Sequence, residues 1–588
     1  MTSRLFLLCL IASMTVANSP HPPKLTVVMV IDQLAYNYIR VLRPFLQNGI
    51  KMLLEGGTSY TNAFFPHANP GTAVGHTCLS TGTYARDHGI VANSWYAPDG
   101  KTEVNCDDDP SEQAAVYQQS EISQSQGKSA INIKVDGVSD QFMRVSQPDK
   151  PHHAFSISYK SRAAIATAGK LGKAIWFDEE DFRFTTSKAY FGSFPEWLEQ
   201  FNMQYTSKHR SHTPWLPRYE LPGPAYAMHD PQTYNCCKRE KSPMNTPNNI
   251  GIHTAARSMH QKKKKHDFLL TPLANQLIFD LARVCISEHI EKNKSDRLLL
   301  WICPSSLDRL GHEFGPDSLE VIDMIYHLDK QIGDFIAQVH TQVGIDNSLF
   351  IFTADHGVSP FSALMHARGY VNTSEVDLRK LAEGINQQVK REFGITDVIT
   401  GYNIPSFFFD AHKFRQQDEP TRKKIIRATI ELLMMAPSIK KAWSYDKLER
   451  SQFMCDEISE RFKRQLFPGR SGDIIVQTWP YSTLKDKANR GTHNTPYDHD
   501  THVPLIIYHP GVFPVKEISQ RTPMLQFAPT LAHLLDVQRP SASTANILPG
   551  IVNARARINS SDAEMPLDSV RGQENHAEAL PAPYCLHG

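Results

Sequence analysis

Short runs of apolar and β-branched residues recur along the chain, separated by polar or helix-like segments. Residues 24–31 (KLTVVMVI) form a continuous apolar run of the kind found in a buried parallel strand. Similar runs occupy residues 154–158, 298–303, 348–353, 473–477 and 503–508. Helical periodicity lies between several of them, at residues 35–55, 273–290 and 318–339. This alternation predicts an α/β fold with a doubly wound, mostly parallel central sheet and helices on both faces.

Two blocks interrupt this alternation and are interpreted as inserted cap segments. Residues 198–268 are rich in Pro, Asn, His and Lys with little periodicity, whereas residues 360–470 carry mostly helical signal. Either block is long enough to form a cap over the carboxyl edge of the sheet. Residues 539–588 are rich in Ser, Ala, Pro and Asn, which predicts a poorly ordered tail. The sequence therefore predicts one large domain over residues 20–538, with both insertions inside it.

The first 19 residues have the pattern of a secretory signal peptide. Arg4 supplies a positive charge, residues 5–17 are apolar, and Thr15-Val16-Ala17 offers small residues for cleavage. The apolar run is shorter than a membrane-spanning helix requires, and no later run is long enough. We therefore expect an exported protein, periplasmic or secreted, with no membrane span in the mature chain. Eight cysteines remain after residue 9, and their disulfide pairing stays open.

Charge and composition narrow the range of partners. Lys and Arg together number 62 and Asp and Glu 61, a balance that argues against a globally basic, nucleic-acid-binding protein. The lysine run at 262–265 is typical of a solvated loop, so no nucleic-acid binding is expected. The 26 histidines are the unusual count, and they direct attention to metal or acid–base sites.

Carboxylates and imidazoles gather beside the ends of the predicted strands. They are Asp32, Asp308, His312, Asp355, His356 and His493. Ligands of open α/β sheets bind at the carboxyl ends of the strands, so these side chains are expected to converge on one edge. The set holds oxygen and nitrogen donors and no thiolate, which suits two Zn²⁺ ions, with Mn²⁺ or iron as alternatives. Taken singly, each residue also fits an ordinary role as a helix cap, a surface pair or a turn residue.

A second feature is the segment from Asn69 to Gly82, in which a turn delivers Thr72 to the predicted start of a helix. A hydroxyl at a helix start lies near free backbone N–H groups and the positive end of the helix dipole, which favours an anion. Thr72 is therefore a candidate nucleophile beside a metal site. A plain helix cap is the alternative interpretation.

Together these motifs resemble the alkaline phosphatase superfamily. The resemblance is closest to the phosphate-irrepressible periplasmic alkaline phosphatases, within the type I phosphodiesterase/nucleotide pyrophosphatase-like branch. It extends from about residue 24 to about residue 535 and weakens through the two inserted blocks. It is carried by Asp32, Thr72…Gly75-His76…Thr81-Gly82…His88-Gly89, Asp308-(x)3-His312, Asp355-His356 and His493.

The resemblance implies a role for each of these residues. Thr72 would attack phosphorus and form a covalent phosphothreonine. One zinc ion would be held by Asp308, His312 and His493, and the other by Asp32, Thr72, Asp355 and His356. Asn93, Lys160 and Arg162 match the residues that contact the phosphoryl group in that family. The implied reaction is hydrolysis of small-molecule phosphate monoesters with release of inorganic phosphate.

Other interpretations remain open at this point. A phosphodiesterase or nucleotide pyrophosphatase of the same superfamily would use the same core, but the Lys160-x-Arg162 pair favours a monoester dianion. An inactive module that binds phosphoryl ligands is a further alternative. His499 and His502 lie near His493 and compete with it as a ligand. No Cys-x-Pro-x-Arg-like motif is present, which argues against a sulfatase, and the oligomeric state is left open.

Overall fold

The computed structural model describes residues 22–118, 121–122, 127–206, 215–230, 268–291, 296–452, 456–485 and 493–551. The predicted signal peptide, the lysine run at 262–265 and residues 552–588 lie outside the described residues. So does most of the first predicted insertion. Within the described ranges, no helix is both long enough and apolar enough to cross a membrane.

The described residues form a central sheet of ten strands. In chain order these are β1 (Leu25–Val30), β2 (Thr58–Phe64), β3 (His152–Ser158), β4 (Lys173–Asp178), β5 (Arg183–Thr185), β6 (Arg297–Cys303), β7 (Ser348–Thr353), β8 (His502–Tyr508), β9 (Lys516–Ile518) and β10 (Thr522–Pro523). Their spatial order is β5-β4-β3-β6-β1-β7-β8-β2-β9, and β10 also pairs with β2. Strands β4, β3, β6, β1 and β7 run parallel, whereas β5 and β8 are antiparallel to their neighbours.

Strand β1 lies at the centre of the sheet because its sequence is apolar on both faces. All six of its residues are buried. Val27 stands opposite Leu300 of β6 on one side and Phe350 of β7 on the other. A strand that is covered on both faces requires such a continuous apolar run. The predicted doubly wound, mostly parallel sheet is confirmed.

Helices form two layers around this sheet. Gly49–Gly56, Pro272–Ile286 and Leu319–Val343 pack together in one layer. The other layer contains Thr72–Thr81, Val138–Arg144, Ser161–Ala168 and Phe527–Leu535. The domain also has the shorter helices Tyr36–Leu42, Ala85–His88, Glu196–Phe201, Ser306–Phe314 and Asp498–Thr501. Small two-stranded ladders join Ser94–Tyr96 to Glu103–Asn105, Asp108–Asp109 to Gly127–Lys128, and Tyr117–Gln118 to Glu121–Ile122.

Residues 360–485 build a separate unit, called the cap from here on. Its strands pair in the order Ile399–Asn403, Ser406–Phe409, Ile474–Thr478 and Ile439–Ser444, and Glu375–Asp377 pairs with Thr483–Lys485. Its helices are Ser362–Ala367, Leu378–Phe393, Ala411–Arg415, Glu419–Met434, Tyr445–Arg450 and Glu457–Gln465. Phe407, Ile425 and Leu433 belong to a hydrophobic core that is distinct from the core of the central sheet.

The cap corrects one expectation from the sequence. The run at 473–477 was predicted as a strand of the central sheet, but Ile474–Thr478 lies between two antiparallel strands of the cap. Residues 360–470 are mostly helical, as expected, and they also contribute three strands to the cap sheet. Short buried runs do not reveal which of two cores they join, because burial pattern alone carries no information on the pairing partner.

Two segments from regions predicted to be inserted or poorly ordered pack against the rest of the domain. Trp215, in the first insertion, donates from Nε1 to Asp323 at 2.5 Å on helix Leu319–Val343. The poorly ordered tail was predicted to begin at residue 539, but residues 539–551 contact the domain. Leu548 is 1% exposed, and its N–H donates to the Thr530 hydroxyl at 2.8 Å. Burial of single apolar side chains holds this segment despite its polar composition, so the tail prediction is wrong for residues 539–551.

Candidate active site

The six predicted metal ligands meet at the carboxyl edge of the central sheet. Strands β1 and β7 lead into Asp32 and into Asp355-His356, the helix after β6 carries Asp308 and His312, and the loop before β8 carries His493. Five of the six are at most 4% exposed, and His312 is partly exposed. Burial of so many ionisable groups is costly unless charges are paired or bind a metal.

The first group of ligands consists of Asp308, His312 and His493. Nε2 of His312 lies 3.2 Å from Asp308 Oδ1, and Nε2 of His493 lies 3.8 Å from the same oxygen. The two imidazole Nε2 atoms are 3.3 Å apart. On the other side of its ring, Nδ1 of His493 faces the Pro70 carbonyl at 3.2 Å. These three side chains thus point ligand atoms at one small volume.

The second group lies deeper in the protein. Nε2 of His356 is 3.4 Å from Asp32 Oδ1 and 3.5 Å from Asp355 Oδ2. Asp308 also belongs to this neighbourhood, because Asp32, Asp308 and His356 bring their ligand atoms within 4.8 Å of one another. Asp308 therefore stands between the two groups, whereas the sequence assigned it to the first alone.

Lys160 lies between the carboxylates of both groups. Its Nζ is 2.6 Å from Asp32 Oδ2 and 2.5 Å from Asp308 Oδ2. Burial raises the pKa of the Asp308 carboxyl, but the Lys160 ammonium together with His312 and His493 outweighs burial and holds that pKa well below its usual value. The pKa of Asp32 is likewise lowered, against burial and the repulsion of Asp308. Both carboxyl groups are therefore ionised and available as ligands.

The histidines respond to the same charges in opposite ways. Burial alone would lower the pKa of His356, but the Asp355 and Asp32 carboxylates raise it to about 9. The pKa of His493 lies well below its ordinary value because of burial and the neighbouring His356 and His312. His493 is therefore neutral, which is the form in which an imidazole binds a metal.

The donor atoms fit a pair of divalent cations. Asp32 Oδ1, Asp355 Oδ2 and His356 Nε2 are buried and have no hydrogen-bond partner. Buried polar atoms are normally paired, so three such atoms around one volume point to a group that binds them. Carboxylate oxygens and imidazole nitrogens without a thiolate are the ligands of hydrolytic zinc sites, and they also accept Mn²⁺ or iron.

Thr72 begins the helix Thr72–Thr81 beside these ligands. It is 1% exposed, and Lys160 donates from Nζ to its Oγ1 at 3.1 Å. The preceding Gly71 has an extended backbone and makes no side-chain cap. The first N–H groups of the helix and its positive dipole end therefore lie around the Thr72 hydroxyl.

The three predicted phosphoryl-binding residues line the same cavity as Thr72. This cavity has a volume of about 510 Å³, and Asn93, Lys160 and Arg162 are in its wall. Asn93 accepts a hydrogen bond from the Ala73 N–H through Oδ1 at 3.0 Å, which aligns it with the helix start. The Nε atom of Arg162 is buried and has no hydrogen-bond partner.

The outer wall comes from two distant parts of the chain. Ser94 and Glu103 of the ladder after Asn93 form one side, and residues 402–404 of the cap form the other. Asn403 joins the two sides, because its Nδ2 donates to the Ser94 carbonyl at 2.5 Å. The cavity lining includes none of the described residues of the first insertion.

Three residues at the site carry roles that the sequence did not assign. His76 faces the Thr72 carbonyl from Nδ1 at 2.8 Å and Asp355 Oδ2 at 3.2 Å. Gly75 allows this helix to approach, because a Cβ there would lie 2.1 Å from the Asp355 carbonyl oxygen. Gln33 contacts Asp308 and Asp355. Gly75-His76 was noticed as part of a motif, whereas nothing in the sequence singles out Gln33.

His499 and His502, the two histidines that compete with His493 in the sequence, have other partners. His499 faces the Thr495 hydroxyl at 3.1 Å, and His502 faces the Thr61 carbonyl at 3.0 Å.

The family can be decided by comparison with known sequences. The model of the type I phosphodiesterase / nucleotide pyrophosphatase family matches residues 26–502. The chain belongs to that family. The predicted membership of the alkaline phosphatase superfamily, in this branch, is therefore confirmed. The match begins in β1 and ends at the start of β8, so it includes every candidate ligand described above.

Several known proteins match this chain over most of their length. A protein from Myroides odoratus named calcium-transporting ATPase is 26% identical over 89% of this chain and 93% of its own. Alkaline phosphatase PhoV from Synechococcus elongatus is 27% identical over 90% of this chain and 92% of its own. Alkaline phosphatase PafA from Elizabethkingia meningoseptica is 26% identical over 91% and 95%. The crystal structure of wild-type PafA superposes with a TM-score of 0.76 at 24% identity, covering 90% of this chain and 98% of its own. The fold is therefore shared.

Proposed function

We propose that this protein is a phosphoric monoester hydrolase of the alkaline phosphatase type, with Thr72 as its nucleophile. The observation that carries the proposal is the cluster of Lys160, Arg162 and Asn93 around the Thr72 hydroxyl in one cavity. A monoester dianion presents three charged oxygens to the enzyme, and two cationic side chains with a polar amide suit that group. The names of the relatives from Synechococcus elongatus and Elizabethkingia meningoseptica support the same activity.

Two divalent cations, proposed to be zinc, would be held by the residues of the two ligand groups. When bound, they would supply Lewis-acid stabilisation of negative charge on the attacking and leaving oxygens. Asp308, His312 and His493 would hold one, and Asp32, Asp355, His356 and Thr72 the other. The buried atoms without hydrogen bonds, on Asp32, Asp355 and His356, support this assignment.

The reaction proceeds in two displacements on phosphorus. Oγ1 of Thr72 loses its proton to solvent and attacks the phosphorus, and the bond from phosphorus to the leaving oxygen breaks. The leaving oxygen takes up a proton from solvent, so the products of this step are a phosphothreonine and an alcohol. Water then attacks the same phosphorus, the bond to Oγ1 breaks, and inorganic phosphate departs. Lys160 is 3.1 Å from Oγ1, so its ammonium would stabilise this oxygen while it carries negative charge, as the deprotonated nucleophile in the first step and as the departing oxygen in the second.

A phosphodiesterase activity is the second candidate. The family that matches this chain is described as type I phosphodiesterase / nucleotide pyrophosphatase, and this observation favours it. Both activities would use Thr72 and the same ligands, so they differ in the groups that meet the non-bridging oxygens. A diester carries one negative charge fewer and gains less from Lys160 and Arg162.

The two candidates are separated by one assay on the full-length protein. Metal is removed with a chelator and zinc is returned, and hydrolysis of p-nitrophenyl phosphate and bis-p-nitrophenyl phosphate is measured at mildly alkaline pH. We expect no activity after chelation, recovery with zinc, and a kcat/KM for the monoester at least about 100-fold above that for the diester. A preference for the diester would make the protein a phosphodiesterase. Absence of both activities from the zinc-loaded protein would favour an inactive binding module.

A further inference from the structure

The backbone of Gln33 has an unusual conformation directly beside the candidate metal ligands. Its φ is +70°, although it is not a glycine, and its side chain is 1% exposed. Left-handed backbone is disfavoured for residues with a Cβ and persists where surrounding contacts hold it. Such positions concentrate at functional sites, so the contacts of Gln33 are informative.

Gln33 donates to one carboxylate from each ligand group. Its backbone N–H donates to Asp355 Oδ1 at 3.2 Å, and its side-chain Nε2 donates to Asp308 Oδ1 at 2.7 Å. The left-handed backbone of Gln33 directs its N–H toward Asp355 at the end of β7, while its side-chain amide reaches Asp308 on the helix Ser306–Phe314. A carboxylate oxygen has two lone pairs, so an oxygen that accepts this bond retains one for a metal.

The helix that carries Asp308 is adapted to this amide. Gly311 lies on the same helix, and a Cβ at that position would be 1.7 Å from Gln33 Oε1. Any larger residue at position 311 would displace the amide from Asp308. The bond therefore depends on two positions distant in sequence, a left-handed residue after β1 and a glycine one residue before His312.

We propose that Gln33 is a positioning residue that couples the two metal groups. Its main chain fixes the orientation of Asp355 and its side chain fixes the orientation of Asp308, so one residue aligns ligands of both groups. The inference rests on the proposed two-metal site. Partners that orient metal ligands typically contribute 10- to 100-fold to metal affinity, and we expect an effect of about this size at the Asp308 group.

The test is a calorimetric titration of metal-free protein with zinc. Gln33→Asn keeps an amide and a residue type that tolerates left-handed backbone, but it is one methylene too short to reach Asp308. We expect two binding steps in the wild type and, in Gln33→Asn, a step weakened about 10- to 100-fold, with the other changed less than about threefold. We expect the weakened step to be the zinc-binding step that His312→Ala abolishes, because His312 and Asp308 belong to the same ligand group.

Two further variants keep the inference falsifiable if Gln33→Asn folds poorly. Gly311→Ala should displace the amide and weaken the same step. Gln331→Asn is the matched control, because Gln331 is a buried glutamine whose amide bonds the Pro272 carbonyl at 2.8 Å, on helix Leu319–Val343. It should leave both steps unchanged.

The outcomes distinguish this inference from the proposed function. Two zinc steps in the wild type with both steps unchanged in Gln33→Asn and Gly311→Ala would overturn the role of Gln33 and leave the metal site standing. An equal loss of affinity in Gln331→Asn would also overturn it, since the effect would then be one of general stability. Fewer than two zinc ions bound by the wild type would overturn the two-metal site and this inference with it.

Discussion

The ammonium of Lys160 lies 3.1 Å from the hydroxyl of Thr72. Lys160 follows strand β3 and Thr72 begins a helix 88 residues earlier, so this pair exists only in the folded chain. The same ammonium contacts Asp32 and Asp308. The side chain of Lys160 therefore connects the proposed nucleophile to the proposed metal ligands. Substitution of Thr72 and substitution of Lys160 should have different effects on activity.

Replacement of Thr72 by alanine removes the proposed nucleophile together with its contact to one of the two proposed cations. We expect Thr72→Ala to reduce kcat by at least about 10³-fold on p-nitrophenyl phosphate, because no covalent intermediate can form. The thermal midpoint should change little. Acid-quenched wild-type enzyme should gain the mass of one phosphoryl group on the peptide that contains Thr72, and the variant should not. Turnover close to that of the wild type would exclude Thr72 as the nucleophile.

Removal of the two cationic side chains, Lys160 and Arg162, should slow the hydrolysis of monoesters more than that of diesters. In Lys160→Ala/Arg162→Ala, the kcat/KM for p-nitrophenyl phosphate should fall by at least about 10²-fold and that for bis-p-nitrophenyl phosphate by much less. The reason is that the lost charges face the additional negative charge of the monoester. Lys170→Ala is the control and should behave as wild type, because Lys170 is an exposed lysine just beyond the helix Ser161–Ala168 that carries Arg162. Equal losses on both substrates would contradict this account of specificity.

Gly75 should tolerate no side chain. A Cβ at this position would lie 2.1 Å from the Asp355 carbonyl oxygen, so Gly75→Ala must push the helix of Thr72 away from a metal ligand. We expect a loss of about 1–3 kcal/mol in the free energy of unfolding, together with a loss of activity. Gly384→Ala is the matched control on an exposed cap helix with nothing within 4 Å, and it should stabilise the protein by about 0.5–1 kcal/mol. Unfolding curves and kcat values measure both effects.

His67 should make stability depend on pH in the acid range. Burial, with Arg461 nearby, lowers the pKa of His67 to about 3 from an ordinary 6.5. As pH falls below 6.5 the unfolded chain binds a proton that the folded protein excludes, so stability falls by up to about 1.4 kcal/mol per pH unit. His67→Gln removes this dependence. The advantage of wild type over the variant in thermal midpoint should therefore shrink from pH 7 to pH 5.

The matched histidine control is His366→Gln, at an exposed position in the cap. It should preserve the wild-type change in midpoint between the two pH values. A constant difference between wild type and His67→Gln at pH 7 and pH 5 would mean that His67 does not resist protonation in the folded state.

Much of the central sheet could be predicted from the sequence because several of its strands are runs of mostly apolar residues. Residues 27–31 and 349–352 are apolar throughout, and such runs occur where a strand is covered on both faces. The convergence of Asp32 and Asp355 followed from the same observation, since the carboxyl ends of neighbouring parallel strands share one edge. Nothing further in the chain was needed to place those two residues together.

The cap and the contacts of Gln33 could not be predicted in this way. The cap strand Ile474–Thr478 is as fully buried as a strand of the central sheet, and only its pairing partners assign it to another core. Gln33 acts through a left-handed backbone and a space left by Gly311, neither of which has a periodic signature. The roles of such residues depend on three-dimensional approach, which a single sequence does not encode locally.

The cap folds around its own core, yet it supplies Tyr402, Asn403 and Ile404 to the wall of the reaction cavity. In the proposed reaction, part of the wall around the departing alcohol would therefore come from a different unit than the groups that would cleave the phosphorus–oxygen bond. Exchange of the cap between relatives would change which alcohols are accommodated and leave the bond-cleaving edge of the sheet as it was. In this architecture, substitutions in the cap can change the proposed substrate range while the ligands at the edge of the sheet stay the same.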